Sequence, residues 1–331
     1  MTVLIAVAAL FMQAENIPPA ATGHLQLGQR APSTTEHAAS PSPRIPTAAD
    51  ERFERERETW DKEFGQWSQA RESRMTDMLV GELSRDFPAL PRLVRSVETR
   101  SESEAARENL PRLLDHARTD APDRGPVLLL VADHLALSLG WQMAREEPDP
   151  AGVPDKRLLT LGGHEFVYEW APLGGTWVYD RGLLRRVLAE YGETPWGDWA
   201  FLKLQERGWY TGATCPDDPA KFRAVIAESK KFLARRPSSP YRLDVMFDLA
   251  QAYEAWWSIT RIAPGDPYLD YVNPADFFEG AEEARRQAIQ LYAEIVRTGG
   301  ASLFAAYAKL ALPRLELSLD TNQRRFYCVY D

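Results

Sequence analysis

The chain has 331 residues, of which 44% are hydrophobic and 26% charged, and its formal net charge is −9. These values are typical of a folded protein with one large domain or two ordinary ones, and the negative charge argues against a nucleic-acid binder, which requires a basic face. The ten Trp, twelve Tyr and thirteen Phe are the unusual feature, because such side chains supply rigid contact area in cores and at interfaces alike.

The amino-terminal stretch contains an apolar run from Val3 to Met12. This run has the length of the apolar region of a signal peptide and is too short to span a bilayer. We therefore predict that residues 1–14 are a signal peptide remnant, and that the protein is exported to the periplasm or secreted. The alternative is a cytoplasmic protein with a short apolar tail. Residues 15–48 are rich in Pro, Ala and Ser, which predicts a disordered tether.

Residues 49–160 are expected to form a helical region. The stretch "ADERFERERETWDKEFGQWSQARESRMTDMLVGELSRDF" has mixed charges on one face. Its large apolar residues recur at helical spacings, and they are Phe53, Trp60, Phe64, Trp67, Met78 and Leu79. The pattern predicts a long amphipathic helix that is solvated on its charged side.

Two more helices follow in this region. Pro111 interrupts "ESEAARENLPRLLDHAR" and predicts a helix boundary or a kink. The stretch "GPVLLLVADHLALSLGWQMAREE" is apolar nearly all round, which is typical of a core helix. It contains Asp133 and His134, whose side chains point in different directions on a helix because they are adjacent. We interpret them as a buried or edge histidine with its own hydrogen-bond partner rather than as a catalytic pair.

The period changes in "HEFVYEWAPLGGTWVYD", where Phe166, Tyr168 and Trp170 alternate with other residues before a Gly-containing turn. This pattern predicts a β-hairpin over residues 161–180. A lone hairpin is marginally stable in water, so we expect it to pack on the helices.

Three segments between residues 181 and 319 share a register. They are "LAEYGETPWGDWAFLKL" from Leu188, "LARRPSSPYRLDVMFDL" from Leu233 and "VRTGGASLFAAYAKLAL" from Val296. Each reads as a helix end, a short turn, an aromatic residue and a new amphipathic helix. The aromatic residues Trp196, Tyr241 and Phe304 fall at the same position, as do Leu204, Leu249 and Leu312. The shared register predicts a helical repeat.

Some residues of this region resemble the tetratricopeptide-repeat family. The sequence Leu249-Ala250-x-x-Tyr253 matches the pattern of the family's first helix, and Ala288-x3-Tyr292-x2-Ile295 is similar to that of its second. Pro237 closes the preceding helix as the family's proline does. The repeats are particularly similar to those of bacterial envelope proteins, such as the lipoproteins of outer-membrane β-barrel assembly. The segments start 45 and 63 residues apart, against 34 in the family, so they contain insertions.

The resemblance implies a mainly α, solenoid-like fold, and the alternating pattern over residues 161–180 adds a small β-hairpin insertion to it. It also implies a noncatalytic scaffold of the bacterial envelope or periplasm that binds a polypeptide partner in a helical groove. Aromatic residues of the repeat region are the candidates for partner contacts, and they are Trp196, Trp199, Tyr241, Tyr253, Trp256 and Trp257. We predict no catalytic residues, cofactor, metal, nucleic-acid partner or integral membrane segment.

Two other functions are compatible with the sequence. One is an envelope polysaccharide hydrolase that uses a carboxylate pair drawn from Glu165, Glu169 and Asp180 in an aromatic-lined cleft. The other is a purely structural envelope protein. The chain contains none of the motifs GxSxG, GxxxxGK[ST], GxGxxG or HExxH, which would have indicated specific enzyme classes.

Three further features lie in predicted loops and at the end of the sequence. Cys215 and Cys328 either pair in a disulfide, which export would permit, or stay as buried thiols.

The loop over residues 266–279 is acidic. One interpretation is that it binds calcium, and the other is a solvated loop in which Asp276 caps the next helix. Residues 320–331, "DTNQRRFYCVYD", are rich in aromatic residues, which predicts a docked tail.

Overall fold

The computed structural model describes residues 48–319, apart from 95–96, 98, 120–123, 147–155, 172–174, 210–218, 263–264, 266–268 and 270–271. The described chain is mainly helical with a small antiparallel sheet. Its helices are α1 (Ala48–Leu83), α2 (Leu90–Leu93), α3 (Arg100–Thr119), α4 (Gly125–Glu146), α5 (Gly182–Tyr191), α6 (Pro195–Trp209), α7 (Pro219–Arg235), α8 (Arg242–Ile259), α9 (Ala281–Thr298) and α10 (Leu303–Glu316). The predicted signal peptide, most of the tether, both cysteines and the tail 320–331 lie outside the described residues.

The long helix α1 connects two hydrophobic cores. Its 36 residues span about 54 Å at 1.5 Å per residue. Leu79 and Leu83, near its end, are buried in a first core that α3, α4, the sheet, α5 and α6 also form. Trp60, in its first half, is buried in a second core with α8, α9 and α10. The predicted amphipathic helix is therefore confirmed, although Met78, placed on the apolar stripe from sequence, is 47% exposed.

Helix α4 is the centre of the first core. Most of its residues are buried, as expected from an apolar pattern that runs nearly all round the helix. It is the one described helix that is long and apolar enough to cross a membrane, but 78% of its most apolar window is buried inside the protein. Helix α3 packs beside α4 and continues through Pro111. Of the two predicted alternatives at Pro111, the helix boundary is therefore wrong, and the kink stays a prediction. The Pro111 ring lies against the turn at Gly162.

The sheet contains three antiparallel strands in the order β1 (Lys156–Leu161), β2 (His164–Ala171) and β3 (Thr176–Tyr179). The predicted hairpin corresponds to β2 and β3, so the sheet begins earlier than predicted. The missed signal is Gly162-Gly163, which joins β1 to β2 with φ angles of 56° and 80°. Consecutive positive φ angles favour glycine in two-residue hairpin turns. The inner face packs on α4, where the Tyr168 hydroxyl donates a hydrogen bond of 2.8 Å to the Ala136 carbonyl.

The second half of the chain is a series of helix pairs. Each of the three segments with a shared register spans one join, between α5 and α6, α7 and α8, or α9 and α10. Consecutive helices also pack on one another through α7, α8, α9 and α10. Helix α8 is the central member, because almost every residue from Asp244 to Ile259 is buried.

A buried ion pair lies in the second core. The Glu254 carboxylate on α8 pairs with Arg314 on α10, and their side chains are 0% and 4% exposed. The Tyr292 hydroxyl donates a hydrogen bond of 2.6 Å to the same carboxylate, and Tyr307 lies 3.4 Å from it. A buried charge is costly unless it is paired and hydrogen-bonded, and these three partners meet that requirement.

The same substitution should have opposite effects at two helical glycines. A Cβ at Gly140 would overlap the carbonyl oxygen of Trp177, whereas a Cβ at Gly65 meets nothing within 4 Å. We expect Gly140→Ala to lower the free energy of unfolding by about 1 to 3 kcal/mol through overpacking. We expect Gly65→Ala to raise it by about 1 kcal/mol, because alanine has the higher helix propensity. Urea unfolding measures both, and a stabilising Gly140→Ala would contradict the close packing of α4 on β3.

Candidate functional site

One side of α1 carries an aromatic stripe that faces helices of the second half of the chain. Trp60, Phe64, Trp67 and Arg71 are spaced by four, three and four residues, so they lie on the same side of the helix. All four contact residues at or near the starts of α6, α8 and α10. We call this surface the repeat face and define it by Trp199, Lys203, Tyr241, Asp244, Phe247, Leu303 and Phe304.

Trp60 is the most deeply inserted anchor of the stripe, with 3% of its surface exposed. Its indole Nε1 donates a hydrogen bond of 2.6 Å to the Leu303 carbonyl at the start of α10. Its ring centroid lies 4.7 Å from that of Tyr307 and 5.7 Å from that of Phe247. A buried Trp needs both an apolar pocket and a partner for its N–H, and the repeat face supplies both.

Phe64 and Trp67 continue the contact along the repeat face. The Phe64 ring lies 5.8 Å from Phe304 and 6.1 Å from Phe247. The Trp67 ring meets Phe304 edge-on at 5.4 Å. Both anchors are only half-buried, so the stripe becomes more solvent-accessible beyond Trp60.

Arg71 is the last residue of the stripe, and aromatic rings surround its guanidinium group. Its guanidinium carbon lies 4.7 Å from the Trp67 ring, 5.4 Å from Trp199 and 5.9 Å from Tyr241. The guanidinium also forms an ion pair with Asp244, in which the two side chains are 19% and 11% exposed. Arginine suits this position because its planar cation can stack on rings and pair with a carboxylate at the same time.

Two more buried ion pairs flank this site. The carboxylate of Glu72, next to Arg71 on α1, pairs with Lys203 on α6. Asp198 in the first turn of α6 is fully buried and accepts hydrogen bonds of 2.8 and 3.2 Å from the Nε and Nη2 of Arg236. This fork geometry is the strong form of an arginine–carboxylate pair. The Asp198 hydrogen bonds raise the pKa of Arg236, so the cation persists at all ordinary pH values.

Tyr241 is the half-buried residue at the centre of these charges. Burial raises the pKa of its hydroxyl, and the Arg71 cation opposes that effect. The hydroxyl is therefore neutral and available as a hydrogen-bond donor at neutral pH. The site thus combines an aromatic residue that reaches solvent with cations and carboxylates already fixed in pairs.

The structure brings only part of the predicted partner-binding set together. Trp199 and Tyr241 belong to the repeat face, and Trp196 lies half-buried two residues into α6. Tyr253, Trp256 and Trp257 are instead buried within the second core, at 7%, 7% and 1% exposure. These three residues stabilise the core in this structure and are not surface contacts.

The burial of both tryptophans has a physical reason. Adjacent helical residues diverge, so α8 must be covered on two sides to bury Trp256 and Trp257 together. The insertion after α8 supplies one cover, because Trp256 Nε1 donates a hydrogen bond of 2.9 Å to the Phe277 carbonyl. Trp257 is covered on the other side, where its indole donates to the Glu282 carboxylate and Arg261 stacks at 5.2 Å.

The carboxylates suggested for a hydrolase lie on or beside the sheet. Glu165 is exposed on β2, and Glu169 pairs with Lys156 across the strands at 3.0 Å. Asp180 pairs with Arg185 and accepts a hydrogen bond of 2.9 Å from the Gly182 amide. Glu169 and Asp180 are therefore each bound to a cation.

Asp133 and His134 point apart, as predicted. Asp133 pairs with Arg181 at 2.9 Å, and Arg181 has a left-handed backbone with a φ of 64°. His134 forms a hydrogen bond with the backbone of Val94. Burial of the ring nitrogens lowers the pKa of His134 to about 3, with Arg181 acting in the same direction. The imidazole is thus neutral at physiological pH.

The described part of the acidic loop is held by its own side chains. Asn273 accepts a hydrogen bond of 3.2 Å from the Ala275 amide and donates one of 3.1 Å to Asp276. The predicted cap is wrong in its detail, because Asn273 caps the short 3-10 helix Pro274–Phe277, and Gly280 precedes α9. No group of three or more His, Cys, Asp or Glu that could hold a metal occurs among the described residues.

The periodicity of the sequence predicted the aromatic stripe of α1 but not the surface on which the stripe packs. Periodicity identifies an apolar face without its partner, and α1 is separated from α10 by more than 200 residues. The sequence does contain a signal for this contact. The three aligned segments carry an aromatic residue at the same position, and α1 carries aromatic residues at helical spacing that could pack against them.

Comparison of the chain with protein families, with curated proteins and with solved structures finds no match.

Replacing Arg71 with lysine should weaken the site although the charge is kept. Lysine cannot stack its cation on Trp67 and Trp199 while pairing with Asp244. We expect Arg71→Lys to lower the free energy of unfolding by about 1 to 2 kcal/mol. Arg74→Lys is the matched control, because Arg74 is exposed on the same helix and should change stability by less than about 0.5 kcal/mol. Equal effects of the two substitutions in urea unfolding would contradict the role assigned to Arg71.

Proposed function

We propose that the protein is a noncatalytic scaffold of tetratricopeptide-like helix pairs, whose repeat face binds an amphipathic helix of a partner polypeptide. The observation that carries the proposal is the packing of α1 on the repeat face. Residues 60–71 of this helix lie across the starts of α10, α8 and α6, and Trp60, Phe64 and Trp67 insert into them. The repeat face is therefore a surface that holds a helix.

The contact has the form of helix-in-groove recognition. In that mode an amphipathic helix is read through anchors at positions i, i+3 or i+4, and i+7. Trp60, Phe64 and Trp67 occupy i, i+4 and i+7, and Arg71 adds a charged anchor at i+11. Aromatic residues and arginine also dominate the binding energy of protein interfaces. The expected partner is a helix with large aromatic residues at this spacing, followed by a cation that can reach Asp244.

Displacement of the stripe, residues 60–71 of α1, would uncover Trp199 of the first core as well as the aromatic residues of the second core. The other side chains in the first half of α1 include exposed charged residues such as Arg52, Lys62 and Glu63. The end of α1 is held separately, because Leu79 and Leu83 are buried in the first core. A partner helix therefore competes with about half of α1. The apparent affinity for a partner is reduced by the fraction of molecules in which α1 covers the face.

The hydrolase alternative has less support from the geometry. Glycoside hydrolysis requires two carboxyl groups flanking one bond, one of them with a raised pKa. Glu169 and Asp180 are each bound to a cation. At four other described carboxyl groups the pKa is lowered, mainly by hydrogen bonds to neighbouring side chains, and they are Asp86, Asp115, Glu282 and Glu283.

The cellular setting is part of the proposal. The apolar run from Val3 to Met12 and the Pro-rich residues after it favour an exported protein of the bacterial envelope. The likeness of the Leu249 to Tyr253 segment to envelope repeat proteins favours the same setting. A scaffold there would hold an envelope polypeptide through the repeat face.

Selection of peptides from a displayed random library tests the proposed function. The bait is the full chain with Trp60→Ala and Phe64→Ala. These substitutions weaken the packing of α1 on the repeat face and change no residue of that face. We expect it to enrich helical peptides with aromatic residues at i, i+4 and i+7, because the emptied pockets accept the same anchors. The wild-type chain should enrich them less, since its own α1 covers the face.

The control bait carries Met78→Ala, which removes an exposed apolar side chain of α1 beyond the end of the stripe. It should behave like the wild type. Circular dichroism confirms that each bait is folded. If a folded Trp60→Ala/Phe64→Ala bait enriches no peptide, or only peptides without the aromatic spacing, the proposal is wrong.

A further inference from the structure

The two most exposed large apolar side chains of the described chain are Leu317 and Phe278, at 69% and 61%. Both lie at the same end of the second core. Helices α9 and α10 pack together, and the Arg285 Nη1 on the first turns of α9 donates a hydrogen bond of 2.7 Å to the Leu315 carbonyl near the end of α10. Phe278 precedes α9 and Leu317 follows α10, so the two side chains flank this contact.

Local packing explains why Phe278 faces outward. Its neighbour Phe277 is fully buried, with its ring 5.3 Å from Trp256 and 5.5 Å from Phe222. The insertion of Phe277 beneath α8 leaves the next side chain on the outside. A single exposed apolar residue needs no explanation, whereas two at the same end of a helix pair indicate a surface that another segment covers. We call these two side chains the patch.

The segment that follows α10 has the properties needed to cover this patch. Residues 320–331 begin directly after Leu319, and the six residues before Phe326 span at most roughly 20 Å. Beyond them stand four large apolar or aromatic residues, Phe326, Tyr327, Val329 and Tyr330. The reach and the composition of this segment both match the position of the patch.

The charges match as well. Arg324 and Arg325 directly precede the aromatic residues of the segment. Glu279, next to Phe278, and Glu316, next to Leu317, are exposed carboxylates at the same end. Opposite charges on the two surfaces favour one orientation of docking more than they add affinity.

We propose that residues 326–330 of the chain dock on the patch formed by Phe278 and Leu317, with Arg324 and Arg325 facing Glu279 and Glu316. The patch lies beyond the end of α8, whereas Tyr241 of the repeat face stands at its start, about 27 Å away along an 18-residue helix. The proposal is therefore independent of the function proposed for the repeat face.

Limited trypsin digestion of the full chain tests the docking. Trypsin cleaves after Arg325, and mass spectrometry of the intact protein follows the loss of residues 326–331. We expect Phe278→Ser/Leu317→Ser to raise the rate of this cleavage roughly tenfold, since removing an apolar contact of this size changes an equilibrium by about that factor. Phe326→Ser/Tyr330→Ser should raise it similarly. Leu158→Ser is the control, because Leu158 is 54% exposed on the sheet of the other core and should leave the rate unchanged.

Each other outcome overturns the proposal. Equal cleavage in the wild type and the Phe278→Ser/Leu317→Ser variant, with unchanged circular dichroism, shows that the segment does not dock on the patch. Faster cleavage after Arg30 and Arg44 alone in that variant assigns the patch to residues 1–47 instead. A wild-type cleavage rate that falls with protein concentration assigns it to a second copy of the chain.

Discussion

The contact of Trp60 with the repeat face is the deepest link that α1 makes to the second core. Most side chains in the first half of α1 are polar or charged, so a few large apolar side chains determine where the helix packs. Trp60 is the deepest of them, with its indole bonded to the Leu303 carbonyl and its ring between Tyr307 and Phe247. Because the end of the same helix is buried in the first core, this anchor joins the two cores through α1, beside α7 and α8, which also contribute residues to both cores.

Buried ion pairs set the register of that contact. Arg71 and Glu72 are adjacent on α1 and carry opposite charges, and each meets its opposite on a different helix, at Asp244 and Lys203. Such pairs add little net stability, because desolvation offsets their attraction. A slip of α1 by one residue would leave a buried charge unpaired. We interpret the pairs as the elements that select one position of α1 on the repeat face, while the aromatic anchors supply the affinity.

Local patterns in the sequence predicted much of the fold. The period of α1, the apolar α4 and the joins around Trp196, Tyr241 and Phe304 depend on residues close in the chain, and the structure places each as expected. The candidate site was less predictable. Its decisive contacts join α1 to helices far along the chain, and periodicity does not identify the partner of an apolar face. Trp256 was mispredicted for a similar reason. The acidic loop over residues 266–279, one interpretation of which was a solvated loop, covers Trp256 through Phe277 and makes it a core residue.

Binding of the α1 segment in trans tests the central claim most directly. A labelled peptide of residues 54–74 is titrated into the full chain with Trp60→Ala and Phe64→Ala, and fluorescence anisotropy is measured. We expect saturable binding at least tenfold tighter than to the wild-type chain, because α1 already covers the repeat face of the wild type. A peptide with Trp60, Phe64 and Trp67 replaced by alanine should not bind. Equal binding of both peptides to a folded chain, or none of either, would contradict the claim that the repeat face recognises a helix by its aromatic anchors.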